Sequence, residues 1–262
     1  MLSEILPYMR CPCCSCSELQ DHNGTVLCTG CRSRYKSLNG ILDMMGTGRD
    51  EVITPFQRLM QSSAIVAVYE IFWRRLGYFL ASSRSFGKEM QRVLELVNDR
   101  SSRFLLDLAC GTGVFTRPLA RNTDGLVVGL DLSWPMLNRA QVLMRREGIR
   151  NIVFIRATAF HLPFIDAAFP YVNCCGALHL FDRPEAALQE IRRILAPGGR
   201  LCVQTTIRPE RSAGLAYLLE HFIRFGFFGE EALRTMMRQH GFRLVESERH
   251  RISYTLLAEK QT

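Results

Sequence analysis

The segment Asp107-Leu108-Ala109-Cys110-Gly111-Thr112-Gly113 most constrains what this chain can fold into, because its two glycines follow directly on the apolar run Phe104-Leu105-Leu106. A buried strand ending in glycines at this spacing turns sharply into a helix, and backbone bare of side chains can approach a ligand across the turn. Gly111 and Gly113 supply that turn, flanked by Asp107 and Ala109. Eighteen residues beyond Gly113, Asp131 closes a second apolar run, Leu126-Val127-Val128-Gly129-Leu130. A carboxylate at the end of the next strand is placed to accept hydrogen bonds from both hydroxyls of a ribose. The two features together predict a site for a nucleotide-type cofactor.

Further apolar runs at 152–156, 171–175 and 200–206 join those at 103–108 and 126–130, each separated from the next by a helical pattern. Alternation of this kind predicts an α/β, doubly wound, mostly parallel sheet with its ligand crevice at the carboxyl ends of the strands. Upstream, residues 46–100 read as a linker and a helical cap. Two glycines break the pattern near 46–48, then Phe56, Leu59, Met60, Ile65, Val68, Tyr69, Phe72, Trp73 and Leu76 recur at helical spacing. A helix over 90–97 leads into the first strand. After Thr206 a second, aromatic-rich insertion over about 207–240 carries Tyr217, Phe222, Phe225, Phe227 and Phe228, and a strand pair around 243–258 completes a seven-stranded sheet.

Residues 1–45 have a different character. Cys11 and Cys14, then Cys28 and Cys31, form two CxxC pairs, the arrangement of a zinc ribbon whose knuckles offer four thiolates to one tetrahedral, structural Zn2+. Cys13 and Cys16 form an overlapping CxxC, so the first pair can be read in two registers, of which we take Cys11 and Cys14. A segment this short buries little core by itself, which assigns most of its folding free energy to metal ligation. Cys110, Cys174, Cys175 and Cys202 lie in apolar runs, as small buried hydrophobes do.

Composition narrows the class. In 262 residues, 47% hydrophobic and 22% charged content is that of a globular protein. No stretch approaches the roughly 20 apolar residues of a membrane span, and the first ten are too polar for a signal peptide, which leads us to expect a cytoplasmic protein with reduced thiols. The net charge of +8 suits a polyanionic partner, but it is dispersed and almost entirely arginine, with lysine only at 36, 88 and 260.

The run 105–113 resembles the first motif of class I S-adenosylmethionine-dependent methyltransferases, and Asp131-Leu132-Ser133-Trp134-Pro135-Met136-Leu137 resembles their second. His161-Leu162-Pro163-Phe164, with Asp166 and Phe169, is similar to the family's LPF stretch, and Glu190 to Leu201, containing Pro197-Gly198-Gly199, to its PGG signature. The resemblance covers roughly residues 100–260 and implies a Rossmann-like sheet and S-adenosylmethionine as cofactor. It places Asp131 at the ribose, and Leu132, Met136, Thr158 and Ala159 along the cofactor pocket with Asp107, Ala109, Gly111 and Gly113. A dinucleotide fits less well, since Ala109 replaces the first glycine and Val114-Phe115-Thr116-Arg117 supplies no third one. Two departures stand out: Thr158 occupies a position that is usually acidic near the adenine, and Pro170 stands where an aspartate commonly opens the fourth strand.

The resemblance also places His179, just past that strand, among acceptor-contacting residues as the candidate general base, with hydrogen bonding at the pocket rim as its other reading. Tyr69, Trp73 and Phe222, in the two capping regions, are the candidate substrate contacts. These aromatic covers suit a small, largely apolar acceptor, and the cap resembles that of ubiquinone/menaquinone-type and related methyltransferases, including plant plastid proteins. The basic charge supports one alternative, a ribosomal-RNA guanine-N1-type enzyme whose ribbon helps to hold RNA. The motif departures support another, a non-catalytic S-adenosylmethionine-binding protein.

Overall fold

The computed structural model describes residues 1–45, 82–97, 102–209 and 226–261. The cap region and most of the second insertion, including Tyr69, Trp73 and Phe222, lie outside the described residues. A short helix α1 (Leu2–Ile5) precedes strands β1 (Leu19–His22), β2 (Thr25–Cys28), β3 (Arg34–Leu38) and β4 (Ile41–Asp43). Helix α2 (Phe86–Leu96) leads into β5 (Phe104–Leu108), followed by α3 (Thr116–Arg121), β6 (Leu126–Asp131), α4 (Trp134–Arg146), β7 (Ile152–Arg156) and β8 (Phe169–Cys175). Then come α5 (Pro184–Ile194), β9 (Leu195–Thr206), α6 (Glu230–Gln239), β10 (Phe242–His250) and β11 (Ser253–Lys260).

All five residues of β5 are buried, as are the first five of β6, because a parallel strand flanked by helices is covered on both faces and must be apolar throughout. The strands pair in the order β7-β6-β5-β8-β9-β11-β10, with β7 through β9 parallel and β11 antiparallel to both β9 and β10. This is the expected α/β, Rossmann-like doubly wound sheet. Strand order reverses between β5 and β8, so the crevice at the carboxyl end of β5 lies at the topological switch point.

The ribbon is not a separate appendage. Strand β4 pairs in parallel with β7, extending the sheet to eleven strands in the order β1-β2-β3-β4-β7 at that edge. The N-terminal segment adds a second junction: Met9 bridges Phe164, Arg10 N–H donates to the Pro163 carbonyl at 3.1 Å, and Ile165 N–H donates to the Tyr8 carbonyl at 2.9 Å. Ile5, Met9, Val26, Tyr35, Leu42 and Met44 share one continuous core with Phe164, Phe169, Leu188 and Ile191. Docking against the sheet is therefore a source of folding free energy for the N-terminal segment, since each fully buried aliphatic side chain contributes about 1.5–3 kcal/mol.

Element boundaries move where local chemistry outweighs apolar pattern. Helix α2 begins at Phe86 rather than 90, because the Ser85 side chain caps it by accepting the Lys88 N–H and the Phe86 ring packs edge-on against Phe115 at 5.9 Å. Strand β9 begins at Leu195 rather than 200. Its pairing with β8 jumps from Phe169–Leu195 to Tyr171–Arg200, so the Pro197-Gly198-Gly199 segment forms an irregularity opposite Pro170, which has no N–H to offer the ladder. Pro170 is thus the second residue of its strand. Among the described residues no helix is long and apolar enough to cross a membrane.

Candidate cofactor site and cysteine centre

The turn after β5 is built from three consecutive odd positions in left-handed conformation: Ala109 at φ 54°, Gly111 at 55° and Gly113 at 73°. The two glycines have different reasons for being glycine. A Cβ on Gly111 would meet none of the described residues within 4 Å, whereas one on Gly113 would press on Ala140 of α4 at 3.3 Å. Gly111 thus serves the left-handed backbone of the turn, and Gly113 also lets the loop seat against the helix. Beneath the turn, Gly129 of β6 leaves room for the Phe154 ring, which a Cβ there would meet at 2.7 Å.

Asp131 closes the site at the end of β6. Its Oδ2 accepts the Gly111 N–H at 2.8 Å and its Oδ1 the Ser133 N–H at 2.8 Å, so the carboxylate is already fixed, with each oxygen retaining a further acceptor lone pair. Burial pushes its pKa up, and these backbone donors pull in the opposite direction. Leu132 and Met136 follow immediately. Met136 N–H donates to the Ser133 hydroxyl that caps α4.

Asp107 plays a different part from Asp131. Only 2% exposed, it accepts the Asn173 side-chain amide at 2.7 Å and the Thr116 hydroxyl at 2.5 Å. It thereby ties β8 and the start of α3 to β5 below the glycine turn. Asn173 and Thr116 carried no sequence signal of their own, because they meet Asp107 only through the fold. On the far side, Thr158 is buried and its hydroxyl accepts the Phe160 N–H at 3.1 Å, fixing the turn that carries half-buried Ala159.

His179 lies in a short turn of helix just past β8, 8% exposed. Its Nδ1 shares a hydrogen bond with the Thr205 hydroxyl at 3.2 Å, and its carbonyl accepts the Gly226 N–H at 3.1 Å. That second bond fastens the returning end of the insertion to the site. Burial holds the imidazole pKa down to about 3, so the ring is neutral over the physiological range and a weak proton acceptor. His161 is exposed on the loop that follows Thr158.

At the ribbon, the thiols of Cys11, Cys14, Cys28 and Cys31 lie within 4.8 Å of one another, with Cys11–Cys31 and Cys14–Cys28 each at 3.5 Å. A tetrahedral zinc with bonds of about 2.3 Å sets its sulfurs about 3.8 Å apart, so the four fit such an ion. The overlapping pair stands aside: Cys13 receives the Tyr35 hydroxyl at 3.3 Å, and Cys16 lies 3.9 Å from the Thr29 hydroxyl. Burial pushes the Cys28 thiol up to about 12, while hydrogen bonding with Ser33 draws Cys31 down to about 6, so a metal held here would displace the Cys28 proton.

A family profile described as "Methyltransferase domain" matches residues 105–199, the stretch from the glycine turn through α5 to the PGG irregularity. The demethylmenaquinone methyltransferase of Lactiplantibacillus plantarum is 36% identical over 135 residues, covering 50% of this chain and 56% of that protein. An uncharacterized chloroplastic methyltransferase of Arabidopsis thaliana is 26% identical over 219 residues, covering 76% of this chain and 61% of its own length. The chain thus spans less than two thirds of either relative. The fold is similar to that of a Haemonchus contortus phosphoethanolamine N-methyltransferase solved with S-adenosylhomocysteine, with a TM-score of 0.66 at 15% identity over 81% of this chain and 61% of that one. The glycine turn and the Asp131 carboxylate both fall inside residues 105–199, the stretch that is similar to a methyltransferase domain.

Proposed function

We propose that this protein transfers the methyl group of S-adenosylmethionine to a small, largely apolar acceptor of quinone type. The observation that carries the reading is the bond from the Gly111 N–H to Asp131, which sets a carboxylate beside a turn with no described side chain against Gly111 and so suits a nucleoside lying across it. The cofactor supplies an electrophilic methyl on a sulfonium, and transfer needs in-line alignment more than acid–base assistance. On this reading Asp131 holds the ribose, Ala109, Gly111 and Gly113 bring backbone against the cofactor, Asp107 braces the loop, and Leu132, Met136, Thr158 and Ala159 line its adenosine side. His179, neutral and tied to Thr205, orients the acceptor by hydrogen bonding, and any role as base requires its environment to change when acceptor binds. Tyr69, Trp73 and Phe222 are proposed to cover the acceptor.

The quinone class is supported by the similarity to demethylmenaquinone methyltransferases and by the aromatic content of the two capping regions. We assign a structural Zn2+ to Cys11, Cys14, Cys28 and Cys31. The experiment is incubation with methyl-labelled S-adenosylmethionine and a bacterial extract, then separation into organic-soluble, aqueous small-molecule and ribosomal-RNA fractions. Label in the organic-soluble fraction is expected. Label confined to RNA would replace this reading with the RNA-modifying one, and no label in any fraction would favour a cofactor-binding protein without transfer activity.

A further inference from the structure

Three charged residues stand in register at the carboxyl ends of adjacent strands: Asp131 of β6, Arg156 of β7 and Asp43 of β4. Asp131 is the ribose-side carboxylate and Asp43 belongs to the cysteine-bearing ribbon. Arg156 joins the two sides. Its Nη1 lies 3.3 and 3.2 Å from the two carboxylate oxygens of Asp43, and its Nε donates to the Leu132 carbonyl at 3.0 Å. The guanidinium also lies over the Trp134 ring, 5.3 Å from its centroid. On the backbone, Met44 N–H donates to the Arg156 carbonyl at 2.8 Å and Ala157 N–H to the Asp131 carbonyl at 3.2 Å, so the carboxyl end of β7 is tied to both neighbouring strands.

We infer that Arg156 and Asp43 are positioning residues for the cofactor, through which the ribbon sets the placement of the 131–134 segment. This inference rests on the reading of that segment as the adenosine side of an S-adenosylmethionine pocket. A planar guanidinium can satisfy an in-plane carbonyl, a carboxylate and an aromatic face at once, which an ammonium cannot. Removal of Asp43 leaves the arginine side chain, 23% exposed, free to swing toward solvent and release Leu132 and Trp134. Strand β4 reaches Asp43 only through the Asn39-Gly40 turn from β3, whose Tyr35 hydroxyl touches the Cys11 thiol at 3.1 Å. A path of packed elements thus leads from the cysteine centre to the cofactor site.

The test compares full-length wild type with Arg156→Lys, Asp43→Asn and the double variant, measuring S-adenosylhomocysteine binding by calorimetry alongside the thermal midpoint. Arg156→Lys keeps a cation beside Asp43 and so preserves the sheet edge, but loses the bond to Leu132 and the stacking. The expected result is a thermal midpoint near that of wild type with a dissociation constant raised five- to tenfold. Asp43→Asn should raise it about threefold, and the double variant should bind no more weakly than Arg156→Lys alone, because both residues act on one path. Dissociation constants within twofold of wild type for both single variants would overturn the inference while leaving the cofactor site intact. Wild type that fails to bind S-adenosylhomocysteine would instead overturn the cofactor reading, and this inference with it.

Discussion

The carboxylate of Asp131 accepts the backbone N–H of Gly111 at 2.8 Å, joining the end of β6 to the glycine turn after β5. The two features that point to a cofactor site in sequence are therefore one physical unit. Its acceptor atoms are held in place by backbone donors, and a Cβ at Gly111 would meet none of the described residues within 4 Å. Preorganisation of this kind lowers the ordering cost of binding.

Ala109 stands in left-handed conformation at φ 54°, where an L side chain costs roughly 1 kcal/mol that glycine avoids. Ala109→Gly should stabilise the protein by up to about 1 kcal/mol, or roughly 2–4 °C in thermal midpoint. Scanning calorimetry checks this, and a lower midpoint would mean that the Ala109 methyl makes packing contacts worth more than the strain.

Replacement of Cys28 and Cys31 by serine should release zinc and destabilise the whole protein, because the ribbon shares its core and two backbone junctions with the sheet. Elemental analysis of the purified wild type should find about one zinc per chain, and the double variant none. Chelation should lower the wild-type midpoint and leave that of the variant unchanged. Metal-free wild type with an unchanged midpoint would contradict the assignment.

His179 supplies a pH dependence with a definite sign. Its folded pKa of about 3 lies below the value of about 6.5 for an unfolded histidine, so below that value the unfolded chain takes up a proton that the folded one refuses. The stability that this group lends is intact above about pH 6.5 and declines toward pH 3 at up to about 1.4 kcal/mol per unit. Between pH 7.5 and 5.5, wild type should lose about 1 kcal/mol more than His179→Gln in urea unfolding. Equal losses would place His179 in a solvated environment.

The glycine turn, Asp131 and the four cysteines were legible because each is written in local spacing: a strand-to-helix turn, a carboxylate at a strand end, two CxxC knuckles. The ribbon's place in the sheet was not, since β4 is only three residues long and its partner β7 lies more than a hundred residues away. The Asn39-Gly40 turn between β3 and β4, with Asn39 at φ 55° and Gly40 at 83°, is the one local signal that marks the hairpin leading to it. Arg156 was equally silent, because a lone arginine ending the apolar run Ile152-Val153-Phe154-Ile155 reads as a solvated strand terminus until Asp43 arrives beside it. Asp107 is legible in sequence as part of the same motif. Its partners Asn173 and Thr116, which give it a bracing role beneath the loop, come from elements that only the tertiary fold brings together.

The most direct test of the account is calorimetric titration of S-adenosylhomocysteine into wild type and Asp131→Ala, with the thermal midpoint of each measured in parallel. Loss of two charge-assisted hydrogen bonds to a ribose, each worth about 1.5–3 kcal/mol, predicts at least a hundredfold weaker binding by the variant with its fold retained. Saturable binding by wild type and an equal affinity in Asp131→Ala would contradict the placement of the cofactor, and no binding by wild type would contradict the cofactor itself.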